Sequence, residues 1–279
     1  MGSEQASKAA QTYENYLGVA IAVPWTRLLL EYGTPRPGER VLDLACGTGS
    51  VARHVAPMVG ADGKVTALDI SPAMLDVARQ LPPPAGAPIQ WIEGDAVSLP
   101  FSDGAFDVVL CQQGLQFFSD RAAATREMRR VLLRRGRAVV SVWGELSQHP
   151  LYQALFEATA HQLEVPLPSV AVSFSLSDPE ELRTLLADAG FSGIEITSRS
   201  LEIHLPAPER FVQLTVLGAA SSLPIFARLG EAARSTLVEA VSQEANRVAE
   251  RYSHGDNLAF PMSAHIALAY ASSASAWCG

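Results

Sequence analysis

Three carboxylates, Asp43, Asp69 and Asp95, recur at intervals of 26 residues. The first lies within Val-Leu-Asp-Leu-Ala-Cys-Gly-Thr-Gly (41–49), an apolar run that breaks into a Gly-x-Gly turn. That interval suits a repeating strand–helix unit, with each acid at the C-terminal end of its strand, along the crevice where open α/β sheets bind ligands. Gly47-Thr48-Gly49-Ser50-Val51-Ala52 satisfies G-x-G-x-x-G/A, and Asp69 stands 20 residues past Gly49, where an acid can hold ribose hydroxyls. Taken alone, this suits a dinucleotide oxidoreductase as well as anything else. Asp43 discriminates. A pyrophosphate would rest on the helix N-terminus and be repelled by a carboxylate at the strand end beneath it, whereas a cationic amino group would be attracted. The glycines let backbone approach the ligand and let N–H groups reach a carboxylate. Asp95, in Gly94-Asp95-Ala96, could take the exocyclic amine of a purine.

The elements that must position these residues are legible from 40 to 145. Short β-rich runs at 40–45, 64–69, 89–93, 106–112 and 137–143 alternate with helical patterns, the sign of a parallel sheet with crossover helices. Ser71-Pro72 supplies an N-cap and a proline at the first helical position, and Met74, Leu75, Ala78 and Leu81 share an apolar face. Further helices are expected after Gly49 and over 120–132, the latter burying Met128, Val131 and Leu132. Beyond 145 the alternation breaks into an apolar helical stretch at 149–165. Ser177-Asp178-Pro179-Glu180 then reads as a capping box opening a helix to Ala189, Gly190 stops it, and 194–205 reads as a strand. A helical block at 208–250, a last strand at 259–271 and a frayed tail at 272–279 complete the pattern. Pro82 to Pro88 forms a stiff connection.

Composition narrows the function. A formal charge of −8 argues against a nucleic-acid partner, which clustered Lys and Arg would serve. The densest basic stretch, Arg126, Arg129, Arg130, Arg134, Arg135 and Arg137, reads as a helix end whose cations complement the dipole. Cys46, Cys111 and Cys278 lie far apart with no CxxC or histidine at ligand spacing, so neither a metal site nor a disulfide framework is expected, and a reducing cytoplasm fits. No basic segment followed by an apolar one marks a secretory leader. The uncharged stretch 211–227 is interrupted by Gln213, Thr215, Ser221, Ser222 and Pro224, and reads as a buried or lid-forming helical segment rather than a membrane span.

The strand-loop at 41–49, the acid in Ala67-Leu-Asp-Ile70, the Gly94-Asp-Ala96 turn and Phe106-Asp-Val-Val-Leu-Cys-Gln-Gln113 follow one another in an order and spacing that resemble the class I S-adenosylmethionine-dependent methyltransferases. The connection Ser98 to Phe106 is similar to that of the ubiquinone/menaquinone-biosynthesis-like (methyltransferase type 11) branch. The resemblance implies a single Rossmann-like α/β domain with a seven-stranded, mostly parallel sheet and helices on both faces. Within it, 1–35 would be a helical lid, 36–145 the cofactor-binding core, and 146–176 and 208–250 helical insertions forming the acceptor pocket. The implied cofactor is S-adenosylmethionine. Asp43, Ala45 and the Gly47 and Gly49 backbone would surround its methionine part, Asp69 its ribose, Ile70 and Met74 the ribose or adenine, and Gly94, Asp95 and Ala96 the adenine. Gln112 would close the methionine side and Tyr16 would be a lid contact. Asp69 and Asp95 could instead cap the helices that follow them, and Met74 and Tyr16 could be core.

Methyl transfer from a sulfonium is an in-line displacement, so the protein mainly aligns the nucleophile and excludes water. The expected acceptor is a small lipophilic molecule, quinone-like or a secondary metabolite, methylated on O, N or C, with Gln113, Phe117, Trp143, Tyr152 and Phe174 lining its site. Among His149, His161, His204 and His265, the first leads as a base because it follows the fifth strand on the crevice side. Two other readings stay open: a protein of this fold that binds S-adenosylmethionine structurally and catalyses a reaction such as a cyclisation, and a nicotinamide oxidoreductase. The last is disfavoured by Asp43 and by the lack of Tyr-x-x-x-Lys. Monomer and homodimer are both compatible with the sequence.

Overall fold

The computed structural model describes residues 3–220 and 223–271. The N-terminal helix α1 (Ser3–Thr12) continues into a π-helical segment, Tyr13–Ala22, and then α2 (Val23–Gly33). Thr12, Ala22 and Val23 all keep right-handed helical dihedrals, so the hydrogen-bond register changes without a break in the chain. The alternation follows as β1 (Arg40–Leu44), α3 (Ser50–Val59), β2 (Lys64–Asp69), α4 (Pro72–Gln80), β3 (Ile89–Glu93), β4 (Phe106–Gln112), α5 (Arg121–Val131) and β5 (Leu132–Trp143). Then come α6 (Pro150–Leu163), α7 (Leu167–Val170), α8 (Pro179–Asp188), β6 (Ser192–Pro206), α9 (Pro208–Ala220), α10 (Pro224–Ala227), α11 (Glu231–Ala249), β7 (Ser253–His254) and β8 (Asn257–Tyr270).

The sheet runs β3-β2-β1-β4-β5-β8-β6, with the two-residue β7 added on β8. Seven strands therefore form the path that the sequence implies. β1 to β5 pair in parallel. Ala271 N–H donates to the Gly136 carbonyl and Gly144 N–H to the Ser263 carbonyl, an opposite chain order that makes β8 antiparallel to β5. The order reverses between β1 and β4, which is where open α/β sheets place their crevice.

The chain forms two compact units. One comprises the chain to Val142, Asp178–Arg199 and the end of β8 from His265; the other comprises Trp143–Ser177 and Ser200–Ala264. In the first, Val41, Val65, Ala67, Val108, Leu110 and Val139 of the strands bury against Val51, Ala52, Val55, Ala56 and Val59 of α3 and Leu29 and Leu30 of α2. Both faces of these strands are covered, which is why they read as continuous apolar runs. In the second, α6 packs on α9 and α11, and Phe156, Ala160, Val170, Ala171 and Phe174 form a core cluster.

Several expectations change. The helix at 120–132 stops at Val131 and β5 begins at once, so Arg134, Arg135 and Arg137 lie on a strand and only Arg129 and Arg130 occupy a last helical turn. The arginines with defined partners act as clamps. Arg130 binds Glu127 and Asp103 at 2.7 and 2.8 Å and the carbonyls of Leu99 and Phe101. Arg137 forks onto both oxygens of Glu39 and takes the Gly33 and Thr34 carbonyls at the end of α2. The 208–250 block is three helices, and the N-cap of α8 is Asp178, whose side chain accepts from Glu180 N–H. Ser221, Ser222 and the tail at 272–279, Cys278 included, lie outside the described residues. Among the described residues, no helix is long and apolar enough to cross a membrane.

Arg137→Ala should cost about 3–5 kcal/mol, because it leaves the largely buried Glu39 carboxylate and two carbonyls without their donor. Arg137→Lys should recover only part of this, since one ammonium cannot reproduce the fork. Urea unfolding midpoints measure both.

Candidate functional site

The glycine-rich loop is held by two acids on neighbouring strands. Asp43 is 1% exposed, and its Oδ2 accepts the Ala52 N–H at 2.9 Å. Asp69 ends β2; its Oδ2 accepts the Gly47 N–H at 2.7 Å and its Oδ1 the Ser71 N–H at 2.8 Å. One carboxylate thus fixes the first turn of α3 and the other fixes the loop that leads into it. The loop closes through Cys46 N–H to the Leu68 carbonyl and Gly49 N–H to the Cys46 carbonyl. Ala45, Gly47 and Gly49 all take left-handed φ values, 56°, 55° and 90°. At Gly49 a Cβ would fall 2.4 Å from the Trp91 ring, so only glycine fits. At Gly47 a Cβ would meet nothing within 4 Å, which leaves open space over the loop backbone.

The electrostatics are one-sided. Burial pushes the Asp43 carboxyl up to about 8, partly offset by the Ala52 N–H, and the nearby Asp69 charge adds to the rise. Asp69 is also raised by burial, against the opposing N–H bonds from Ser71, Gly47 and Ile70. Burial and these carboxylates push the Cys46 and Cys111 thiols up as well, which leaves them unreactive. Arg53, on α3, places its guanidinium 5.4 Å from the Trp91 ring centroid and donates to the Pro82 and Ala78 carbonyls, so its hydrogen bonds go to the α4 end rather than to the acids. A cation at the loop would relieve this field, and a pyrophosphate would aggravate it.

Around the loop, Gly94 N–H donates to the Asp69 carbonyl, which brings the Gly94-Asp95-Ala96 turn beside β2. Asp95 is exposed and its Oδ1 accepts the Val97 N–H; Ala96 is buried and Ile70 is 67% exposed. Met74 is half-buried in the first turn of α4, where its N–H reaches Ser71 Oγ. Gln112, at the end of β4, donates from Nε2 to the Ala22 carbonyl at 3.1 Å and so ties down the end of the π-helical segment. Tyr16 is buried within that segment. A residue the sequence analysis did not single out for the site is Tyr13, whose phenol is pushed up to about 12 by burial, by Glu14 and by Asp69. Its available signal was Tyr13 and Tyr16 spaced for one helix face.

The described residues 41–136 match the methyltransferase domain family model. The chain is 32% identical over 185 residues to the ubiquinone/menaquinone biosynthesis C-methyltransferase UbiE of Ectopseudomonas mendocina, covering 61% of this chain and 72% of that protein. The chain belongs to the class I S-adenosylmethionine-dependent methyltransferases, in their ubiquinone/menaquinone-biosynthesis-like branch. It is also 38% identical over 135 residues, 47% of the chain and 55% of that protein, to the 2-phytyl-1,4-naphtoquinone methyltransferase of Synechococcus elongatus. Among solved structures, the 4+2 cyclase SpnF matches with a TM-score of 0.53 and 25% identity, covering 89% of this chain and 81% of that one. The methyltransferase takes S-adenosylmethionine as its cofactor. The residues present fit it: an acidic, cation-free loop suits a ligand carrying ammonium and sulfonium charge, and both acids keep lone pairs beyond those used by backbone.

The expectation for His149 is corrected. The ring is 1% exposed. Its Nδ1 lies 2.9 Å from the Glu145 carbonyl, and its Nε2 lies 3.0 Å from the Ser263 carbonyl and 2.9 Å from the Ser263 N–H. Both ring nitrogens are thus engaged by backbone and burial lowers the imidazole's pKa, so the buried ring is held as a strut of the second unit rather than presented to a substrate. Trp143, Tyr152 and Phe174 surround it with ring centroids at 6.2, 6.5 and 4.7 Å. Tyr152 continues this cluster to Phe156, Phe211 and Phe260. In the first unit, Phe117 is 57% exposed, and Gln113 takes a left-handed φ of 52° directly after β4.

In the cofactor-free enzyme, folded Asp43 retains its proton up to about pH 8 while the unfolded carboxyl loses it near its ordinary 3.8, so this group lowers stability as pH rises between those values. Asp43→Asn keeps an acceptor for Ala52 N–H and removes that penalty. It should raise cofactor-free stability by about 1–2 kcal/mol at pH 8 and by little at pH 4, while weakening S-adenosylmethionine binding at least about tenfold; thermal melts across pH and calorimetric titration check both.

Proposed function

We propose that this methyltransferase methylates a carbon, oxygen or nitrogen nucleophile of a small, lipophilic, quinone-like molecule by in-line displacement. The observation that carries the reading is the identity to proteins named for quinone methylation, 32% and 38% over the matched regions. S-adenosylmethionine supplies a methyl on a sulfonium that leaves without acid–base assistance. The chain's own residues then have three tasks. Asp43, Ala45 and the Gly47 and Gly49 backbone hold the amino-acid end, and Gln112 closes that side by tying its Nε2 to the Ala22 carbonyl, which leaves its Oε1 unused. Asp69 takes ribose hydroxyls with the lone pairs not used by Gly47 and Ser71, while Ile70, Met74, Gly94, Asp95 and Ala96 frame the adenine. Tyr16, joined by Tyr13 from the same segment, excludes water from this end.

For the acceptor, Gln113 and Phe117 project from the end of β4, and the part-buried Trp143 and Tyr152, with Phe174, give the second unit aromatic surface suited to a lipophilic molecule. With His149 engaged by backbone on both nitrogens, the reading favours an acceptor that is nucleophilic without that base, such as an electron-rich quinol ring. A second reading, a non-methyl reaction in a retained cofactor fold, is favoured by the similarity to the 4+2 cyclase SpnF.

Incubating the protein with S-adenosylmethionine and a chemically reduced 1,4-naphthoquinol separates the two. The proposal expects S-adenosylhomocysteine and a methylated ring in equal amounts. Tight S-adenosylmethionine binding with no S-adenosylhomocysteine formed from quinol, phenol or amine panels would favour the second reading.

A further inference from the structure

At the C-terminal ends of β4 and β5, the first unit holds buried polar atoms that the protein itself does not satisfy. Gln112 and Ser141 are register partners across the parallel β4/β5 pair, so their side chains leave the sheet on the same face. Ser141 is 2% exposed and its Oγ has no hydrogen-bond partner among the described residues; the same holds for Gln112 Oε1. An amide flip does not remove the second orphan. Gln112 Nε2 donates to the Ala22 carbonyl, and turning the amide would set its oxygen against that carbonyl, so Oε1 is the atom left over. One residue on, Gln113 N–H donates to the Ser141 carbonyl, its backbone sits at φ 52°, and its Nε2 is a third buried atom without a partner.

Buried polar groups in folded proteins are paired in all but a few cases. Three exceptions at the end of one strand pair, one of them on a residue held in the left-handed region, mark a site built for something else to complete. All three groups are neutral, so the site would not compensate a buried carboxylate or phosphate. Gln113 Oε1 faces Gln116 Nε2 at 3.5 Å, which leaves its Nε2 to donate; Gln112 Oε1 can only accept, and Ser141 Oγ can do either. The complement is a neutral hydroxyl, which donates once and accepts from the other side.

We propose that Ser141, with Gln112 and Gln113, forms a positioning niche for a hydroxyl group of the methyl acceptor, beneath the end of the π-helical segment at Ala22. The inference rests on the reading of the protein as a small-molecule methyltransferase, but its test needs no turnover. Ser141 touches the acceptor's hydroxyl and not the transferred methyl, so it sets orientation and specificity rather than supplying a proton.

The experiment titrates the full chain, saturated with S-adenosylhomocysteine, with 1-naphthol and with naphthalene. NMR follows the side-chain amide signals of Gln112 and Gln113, assigned with Gln112→Glu and Gln113→Glu. 1-Naphthol should shift both signals and naphthalene neither. Ser141→Ala should weaken 1-naphthol about fivefold or more, the equivalent of one net hydrogen bond, while leaving naphthalene affinity and S-adenosylhomocysteine affinity unchanged; Ser141→Thr should restore the preference. Equal binding of the two probes by the wild type, or an unchanged ratio in Ser141→Ala, would overturn the niche and assign these atoms to internal water. Failure of the quinol turnover assay with the niche intact would instead remove only the quinone-like acceptor.

Discussion

Two buried carboxylates bonded to backbone organise this protein. Asp43 and Asp69 stand on adjacent strands and hold the Ala52 and Gly47 N–H groups respectively, so the loop between β1 and α3 is fixed at both ends before any ligand arrives. The arrangement costs free energy, since neither acid has an ion-pair partner among the described residues and burial pushes both toward the protonated form. Because burial holds Asp43 protonated up to about pH 8, the site reaches its fully ionised form at neutral pH only beside a cation, and this is the proposed source of its selectivity. It opposes phosphate, which the same glycine pattern serves elsewhere, and favours a ligand with ammonium and sulfonium charge. The strained loop, the glycine forced by Trp91 at position 49 and the placement of the Gly94 turn on Asp69 all follow from holding those two acids at the crevice.

Much of this was legible because it is local. The 26-residue recurrence of the acids, the Gly-x-Gly break and the Ser71-Pro72 cap fix β1, β2 and α4 within a residue or so, and the parallel order follows from the alternation. The failures have physical reasons. β5 starts at Leu132 rather than 137 because its first residues pair through a bulge, with Phe106 matched to Leu132 and Val108 to Arg137, and a bulge carries no hydrophobic periodicity. Arg130 and Arg137 read as cations of a helix end but reach Asp103 and Glu39, partners set by tertiary position. His149 looked like a base from its place after the fifth strand. Its engagement by Glu145 and Ser263 depends on residues 4 and 114 positions away, and the longer of these no sequence pattern announces. Tyr13 and Ser141 were missed for a similar reason: a helix register and a strand register decide what they face.

The two units divide the labour unevenly. In the first, buried polar side chains gather at the strand ends, where Asp43 and Asp69 hold backbone N–H groups. The second is built on rings: Trp143, His149, Tyr152, Phe156, Phe174, Phe211 and Phe260 form one cluster, edge to face at most contacts and tilted between Phe211 and Phe260. Aromatic packing of that kind fixes shape without committing to particular hydrogen bonds. In the proposed function the cofactor meets carboxylates and glycines of the first unit, whereas the acceptor would meet aromatic surfaces whose chemistry is generic.

The central claim is that the crevice is poised for a cation, and proton counting tests it most directly. Calorimetric titration of the cofactor-free protein with S-adenosylmethionine at pH 7, repeated in buffers of different ionisation enthalpy, gives the protons exchanged on binding. With Asp43 pushed up to about 8 beforehand and an ammonium group arriving beside it, the account predicts release of close to one proton. Binding with no proton release at pH 7 would contradict it, because Asp43 would then be ionised already and the crevice neutralised by some other means.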